Sequence, residues 1–304
     1  MRTRTLRSIG LVAALSSAVA APVRAEEARR LRQDGRMNSV GPYFRETGAG
    51  PAVLCIHAGY ASSGEWRSLM QDLAGQFRIV ACDMSSSGKS PAISPHLKYT
   101  LEEEVTFLRP VFDAAGDSFH LVGHSFGGAV ALKAALRYRS RLLSLTLIEP
   151  TLFALLISSA PESSATYEII RHTEMVSALA ELGDYESAAR QFVDYWFQPG
   201  AWAAMREEVR TDIRGRMNLC RQRWDALLRD PVRVADLAVL DIPTLCLTAR
   251  NSNVPTHALS KLLSETLPRA RTIDIEGVGH MAPLSEPDQV NPLIRTFLQE
   301  MACS

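Results

Sequence analysis

No charge of one sign dominates this 304-residue chain, since 33 lysines and arginines balance 33 aspartates and glutamates. A protein without a global field does not draw nucleic acid or anionic lipid toward itself. Beyond the first residues the sequence also has no run of like charge. The sequence therefore gives no indication of a nucleic-acid partner.

The motifs for metals, nucleotides and disulfide scaffolds are also missing. There is no GxGxxG fingerprint, no HExxH and no Cys/His cluster, and Ser87-Gly88-Lys89-Ser90 lacks the earlier glycine of a phosphate loop because Asp83 stands there. We expect neither a metal nor a cofactor. No CxxC pair occurs, and an odd number of cysteines leaves at least one thiol unpaired. The five cysteines are Cys55, Cys82, Cys220, Cys246 and Cys303.

The first 25 residues have the layout of a secretory signal peptide. Arg2, Arg4 and Arg7 precede a short apolar run over 9–21, and small residues before position 26 offer a cleavage site after Ala25. The run is too short to span a bilayer, and no later segment is long and apolar enough. We therefore expect an exported, periplasmic or secreted, protein without a membrane span in its mature form. The sequence leaves the oligomeric state open.

From about residue 36, short apolar runs alternate with amphipathic helices. Predicted strands cover 51–57, 77–82, 119–122, 142–148, 244–248 and 272–275. Ser62 and Glu65 are expected to form a capping box at the first helix. Strands that alternate with helices predict a mostly parallel sheet covered on both faces. The exception is 151–236, which contains no convincing strand and reads as an aromatic-rich helical insertion.

Gly123-His124-Ser125-Phe126-Gly127 matches G-x-S-x-G between a predicted strand and a predicted helix. In this context the serine occupies a sharp turn, and small neighbours let the helix approach the strand. Ser125 is thus the candidate nucleophile. His280 follows the last predicted strand and is the candidate general base, in the order that this class of serine enzyme requires.

These segments, together with HAGYASSGEW, CDMSSSGKS, LIEPTLF and GVGHMAPLSEP, resemble the α/β-hydrolase superfamily from about residue 40 onward. The resemblance implies an eight-stranded, mostly parallel sheet flanked by helices, with a helical cap after the sixth strand. Residues 36–150 and 237–304 would form the core and 151–236 the cap. It also implies an oxyanion hole built from the Phe126 amide and from Ala58 or Gly59, of which Gly59 is favoured.

The third member of the triad departs from the family pattern. Most relatives have an aspartate where this chain has Asn251, and an amide cannot stabilise imidazolium charge. Glu149 ends the sixth strand of the family scheme, and some superfamily members place their acid there. Pro150 follows it and would fix the turn. We assign the acid to Glu149, with Asp83 as a lesser candidate.

The predicted reaction is attack of Ser125 on a carbonyl, followed by hydrolysis of the acyl-enzyme. The apolar cap favours an uncharged carboxylic ester or lactone with a hydrophobic portion, the substrate of a carboxylesterase or lactonase. One alternative is hydrolysis of a carbon–carbon bond in a diketone-type substrate, for which a basic residue near the pocket would be supporting evidence. The cap contains Arg206, Arg210 and Arg214 at helical spacing, but this pattern is more typical of a solvent-exposed helix face. The other alternative is a non-catalytic ligand-binding protein on the same fold.

Overall fold

The computed structural model describes residues 41–93 and 98–302. The predicted signal peptide and Cys303 lie outside these ranges. The sheet strands are β1 (Phe44–Thr47), β2 (Ala52–Ile56), β3 (Arg78–Cys82), β4 (Phe119–His124), β5 (Leu142–Ile148), β6 (Thr244–Ala249) and β7 (Ala270–Ile275).

The sheet has the order β1-β3-β2-β4-β5-β6-β7, and every neighbouring pair except β1 with β3 is parallel. The predicted fold class is confirmed, but the predicted number of eight strands is wrong for the described residues, which form seven. The four-residue β1 pairs antiparallel with β3 at the sheet edge, and the chain turns at Gly48 and Gly50, both at positive φ, directly into β2. This short connection leaves no room for a further strand between them.

The central strands are buried along their whole length. All residues of β2 and β4 are buried, which explains why they read as continuous apolar runs rather than as alternating patterns. Two hydrophobic clusters cover the two faces of the sheet. Helices α1 (Arg67–Leu73) and α14 (Pro287–Ala302) pack together over one face; α2 (Leu101–Phe107), α3 (Arg109–Ala115) and α4 (Phe126–Tyr138) contribute to the cluster on the other.

Between β5 and β6 the described chain forms helices and no strand. These are α5 (Ala154–Ser159), α6 (Ser164–Glu181), α7 (Tyr185–Trp196), α8 (Ala201–Ala204), α9 (Glu207–Gly215), α10 (Cys220–Leu228) and α11 (Val234–Leu237). Helix α12 (Val254–Thr266) connects β6 to β7, and the short α13 (Ala282–Ser285) precedes α14. We call the segment 154–237 the helical insertion.

The described cysteines, Cys55, Cys82, Cys220 and Cys246, are all buried free thiols. Burial raises the pKa of Cys246 to about 12 and that of Cys220 to about 11, so both remain protonated at neutral pH. They act as small core residues. Among the described helices, none is both long and apolar enough to cross a bilayer.

Candidate active site

Ser125 lies at a strained turn between the end of β4 and the start of α4. Its backbone has φ +54°, a left-handed conformation that a non-glycine residue rarely adopts. The turn is tight because its flanking residues are glycines. A Cβ on Gly123 would lie 2.5 Å from the carbonyl oxygen of Gly127, and one on Gly127 would lie 2.4 Å from that of His57. Only glycine lets the helix start this close to two strands.

The structure brings Ser125, His280 and Glu149 together, although 155 positions separate Ser125 from His280. Nε2 of His280 lies 2.8 Å from Oγ of Ser125, and Nδ1 of His280 lies 2.7 Å from Oε2 of Glu149. All three residues are buried. Because a carboxylate only accepts hydrogen bonds, Nδ1 carries the proton and Nε2 is left to accept from the serine hydroxyl.

Glu149 is fixed by the loop that follows the neighbouring strand β6. Its Oε1 accepts the backbone N–H of Ala249 at 2.7 Å, and its Oε2 accepts the hydroxyl of Ser252 at 2.7 Å. Glu149 itself has φ +43°, so its backbone is strained as well. In the same loop the Asn251 side chain points into solvent. Asn251, which stands where the family resemblance led us to expect the acid, is thus part of the loop that holds Glu149 in place.

Asp83, the lesser candidate for the acid, is committed elsewhere. Its Oδ1 accepts the N–H of Ser63 at 2.6 Å and its Oδ2 accepts that of Lys89 at 2.8 Å. These bonds order the loops after β2 and β3. Asp83 therefore does not reach His280.

The pKa values agree with a neutral imidazole beside an ionised carboxylate. Burial lowers the pKa of His280 below its ordinary value, more than the neighbouring Glu149 raises it. Burial by itself would raise the pKa of Glu149. The hydrogen bonds from His280, Ser252 and Ala249 outweigh this effect and lower it. His280 is thus unprotonated at neutral pH and able to accept a proton.

The turn after β2 leaves Gly59 as the second candidate oxyanion donor. The backbone N–H of Ala58 donates to Oε2 of Glu65 at 2.9 Å and is not available to a substrate. His57 orders the same turn, since its Nδ1 donates to the Ala58 carbonyl at 2.7 Å and its Nε2 accepts the N–H of Met84 at 3.0 Å. Gly59 and Phe126 line one cavity with Ser125.

Beneath the site lies a buried pair that the sequence did not reveal. Nδ1 of His124 is 2.7 Å from Oε1 of Glu65, and Nε2 of His124 is 2.8 Å from the backbone oxygen of His280. The predicted capping box of Ser62 and Glu65 is wrong. Ser62 caps by accepting from the N–H of Gly64, whereas the Glu65 side chain turns inward to His124 and Ala58. Burial would lower the pKa of His124, but the Glu65 carboxylate reverses this effect and raises it, which favours the imidazolium form.

Ser125 lies at the junction of two neighbouring cavities. The lining of the inner cavity includes three aromatic side chains of the helical insertion, Phe192, Trp196 and Trp224. The outer groove also contains Ser125 and His280 and runs along apolar residues: Met205, Val209, Ile213, Met281 and Leu284. The ring of Trp196 lies 4.5 Å from that of His280, centroid to centroid, and helps to exclude water from it. A substrate carbonyl at Ser125 could thus extend in two directions.

Arg223 is a charged residue in the lining of the inner cavity, and the sequence analysis did not single it out. It lies in α10 and is buried, 5% exposed. Of the predicted row of arginines, Arg206 is exposed and lines the outer groove. Arg210 and Arg214 form partly exposed ion pairs with Glu207 and Glu186. Among the described residues, no cluster of three or more His, Cys, Asp or Glu side chains could hold a metal ion.

Comparison with known proteins identifies the family. The family model for the alpha/beta hydrolase fold matches residues 51–287, which include Ser125, Glu149 and His280. The structure of MGS-M2, an alpha/beta hydrolase enzyme from a Medee basin deep-sea metagenome library, superposes with a TM-score of 0.71. It is 19% identical and covers 85% of this chain and 94% of its own. This likeness concerns the fold alone.

Two hydrolases align with most of the sequence. The pimeloyl-[acyl-carrier protein] methyl ester esterase of Aeromonas hydrophila is 25% identical over 264 residues, 83% of this chain and 96% of that protein. The 2-hydroxy-6-oxo-2,4-heptadienoate hydrolase of Pseudomonas putida is 26% identical over 262 residues, 84% of this chain and 91% of that protein. Because the family model covers most of its length, this chain belongs to the α/β-hydrolase fold family.

Proposed function

We propose that this protein is a serine hydrolase that cleaves a carboxylic ester or lactone with an apolar portion through an acyl-enzyme. Ser125 is the nucleophile, His280 the general base and Glu149 the acid of the triad. The observation that carries the proposal is the unbroken hydrogen-bonded relay from Ser125 Oγ through His280 to Glu149, with separations of 2.8 and 2.7 Å. Ser125 lines both the inner cavity and the outer groove.

The chemistry follows from the positions of the protons. As Ser125 Oγ bonds to the substrate carbonyl carbon, its proton passes to Nε2 of His280, and Glu149 stabilises the imidazolium that forms. The amides of Phe126 and Gly59 are the donors for the oxyanion. Collapse of the tetrahedral adduct breaks the bond to the alkoxide, which leaves with the proton from His280. Water then gives a proton to His280, attacks the acyl carbon and releases the acid and free Ser125.

The ester assignment rests on the acyl-transfer geometry of Ser125, His280 and Glu149. The relative from Aeromonas hydrophila is named as a methyl ester esterase, which supports the same reaction type. Apolar side chains of the outer groove suit a hydrophobic group on one side of the scissile bond. No step in this sequence requires a cofactor.

Hydrolysis of a carbon–carbon bond in a diketone-type acid is a second candidate. The Pseudomonas putida relative is named as hydrolysing a dienoate, an acid that carries a carboxylate. A cationic residue in the cavity is the feature that would favour such a substrate, and Arg223 occupies that place. A panel of neutral p-nitrophenyl esters, lactones and diketone acids separates the two reactions.

Labelling with a fluorophosphonate probe tests the nucleophile directly. We expect one adduct on the wild-type protein, located at Ser125 by peptide mass spectrometry, and none on Ser125→Ala. Ser144, a buried serine of β5 that bonds to His120, provides a control variant, Ser144→Ala, which should still be labelled. Absence of an adduct on folded wild-type protein would instead favour a non-catalytic ligand-binding protein.

A further inference from the structure

Arg223 is a buried cation for which the described protein supplies no counter-ion. Its guanidinium makes hydrogen bonds through one nitrogen, NH2, to the carbonyl oxygen of Ser85 at 3.2 Å and to Oγ of Ser87 at 3.4 Å. Within the described residues, Nε and NH1 have no hydrogen-bond partner, and no carboxylate forms an ion pair with Arg223. An unpaired buried charge is costly to stability, so its retention calls for a ligand.

The carboxylate beside the same loop makes no hydrogen bond to Arg223, because other donors occupy its oxygens. Glu104 accepts from the backbone N–H of Ser85 at 2.9 Å, from the Ser85 hydroxyl, and from the hydroxyl of Tyr99 at 2.6 Å. Both oxygens of Glu104 are therefore engaged. Several other arginines of the insertion are paired, as Arg214 is with Glu186, and Arg216 with Asp212.

Two aromatic rings hold the Arg223 guanidinium in place. Its central carbon lies 5.0 Å from the ring centre of Tyr60 and 5.9 Å from that of Phe126. Phe126 is the residue after the nucleophile, so this contact ties the position of the cation to that of Ser125. An always-charged guanidinium with unused donors is suited to binding a carboxylate.

We infer that Arg223 binds a carboxylate of the substrate, and that the enzyme acts on carbonyl compounds bearing an acid group in the inner cavity. This inference rests on the proposed function of Ser125. The scissile carbonyl lies at Ser125, the carboxylate extends toward Arg223, and the apolar leaving group occupies the outer groove. Half-esters of dicarboxylic acids have this arrangement. The apolar cap led us to expect an uncharged substrate. The buried cation instead favours a substrate that carries one negative charge.

Paired substrates test the inference. The kcat/KM of a mono-p-nitrophenyl ester of glutaric acid is compared with that of the matching neutral p-nitrophenyl ester in which the free acid is a primary amide. Since a hydrogen bond to a charged group contributes substantially, we expect the acid to be preferred by about tenfold or more. In Arg223→Gln the preference should fall by about fivefold or more, with Arg223→Lys retaining part of it. A smaller wild-type preference, or one unaffected by Arg223→Gln, would overturn the inference.

The control variant is Arg229→Gln, which removes an exposed arginine at the end of the same helix. It should keep the wild-type preference, since Arg229 is paired with Asp225 at the surface. An equal loss in both variants would show a general field effect and would also overturn the inference. If Arg223→Gln does not fold, Arg223→Lys takes its place, and a preference that does not fall in that variant would overturn the inference.

A binding measurement separates this inference from the proposed function. If the fluorophosphonate probe labels Ser125 but the acid is not preferred, the subsite is wrong and the hydrolase stands. If the probe fails to label, glutarate is titrated against Ser125→Ala and against the Ser125→Ala, Arg223→Gln double variant. Glutarate should raise the Tm of the first and not of the second. A Tm shift that is the same in both, or absent in both, refutes the carboxylate site.

Discussion

His124 and Glu65 form a fully buried pair directly under the nucleophile, with Nδ1 and Oε1 2.7 Å apart. The pair joins three loops that are distant in sequence. Glu65 holds the N–H of Ala58 in the turn after β2, and His124 precedes Ser125 and holds the backbone carbonyl of His280. Since the segments that supply Ser125, His280 and the candidate oxyanion donor Gly59 are attached to it, we regard both as positioning residues for the site.

Replacing Glu65 by Gln should destabilise the fold and misplace the reacting groups together. Loss of one partner from a buried ion pair costs about 3 kcal/mol or more, because the remaining charge stays buried. We expect the free energy of unfolding, measured by urea denaturation, to fall by about this amount and kcat to fall with it. Glu276→Gln removes an exposed glutamate and should change neither. Wild-type stability in Glu65→Gln would show that His124 and Glu65 do not form an ion pair.

The raised pKa of His124 gives this stabilisation a definite pH dependence. A group whose folded pKa exceeds its unfolded value stabilises fully below the unfolded value, about 6.5, and the contribution is lost as pH rises through the folded pKa. The difference in unfolding free energy between wild type and His124→Gln should therefore shrink as pH increases from about 6 to 9.

His120→Gln is the matched control for this dependence. His120 is also buried, but its pKa is lowered to about 4 by burial, so the folded protein holds it neutral. The neutral His120 contributes stability that is lost as the pH falls. The pH dependence of its contribution is therefore opposite in sign to that of His124. A His124 effect that is constant with pH, or one that grows with pH, would contradict the imidazolium assignment.

Glu149→Gln should abolish most of the catalytic activity and leave the fold intact. The amide cannot stabilise protonated His280, and the equivalent change in a serine protease costs about 10⁴-fold in turnover. We expect a similar loss in kcat toward the best ester of the panel. Ser252→Ala removes one of the hydrogen bonds that hold Glu149 and should cost less.

Asn251→Ala is the matched control for the acid. Asn251 occupies the position that carries the aspartate in most relatives, but its side chain is exposed. The variant should keep wild-type kcat and KM. Activity that survives in Glu149→Gln and is lost in Asn251→Ala would move the acid to the loop after β6.

Much of the site was predictable because parallel strands place their carboxyl ends at one edge of the sheet. Ser125 follows β4, and Glu149 follows β5, which pairs with it. Once these strands were identified, their proximity was expected. The number of strands was not, because eight came from the family resemblance, whereas the chain described from residue 41 onward forms only the short β1 before β2.

Glu65 and Arg223 escaped prediction for one physical reason. Both are charged, and charged residues are seldom fully buried, so Glu65 was expected to cap a helix and Arg223 was not singled out. Yet Glu65 stands four positions before Leu69, and Arg223 four before Leu227, on the buried stripes of their segments. A charge on an otherwise apolar stripe was the available signal. The hydrogen-bond partners of these two charges could not be predicted from the sequence, because His124 and Ser85 lie far from them along the chain.

Export is a separate prediction, which concerns residues outside those the structure describes. Expression of the full-length chain in a bacterium should yield a mature protein that begins at Glu26, after cleavage at Ala25. Its intact mass and N-terminal sequence, taken from the periplasmic or culture fraction, check this. Replacing Ala25 by Arg should block cleavage, because the processing site requires small residues. A protein retained in the cytoplasm with its first 25 residues would refute it.

The pH profile of activity tests the state of His280. General-base catalysis requires the neutral imidazole, and burial lowers the pKa of His280, so activity should persist below the ordinary histidine value of about 6.5. We expect kcat/KM for a neutral ester, measured from about pH 4 to pH 8, to show an acid limb with its midpoint below that value. Glu149 raises the pKa of His280, so the residual activity of Glu149→Gln should have its midpoint at a still lower pH. An acid limb at or above about 6.5 in the wild type would mean that the carboxylate, rather than burial, dominates at His280.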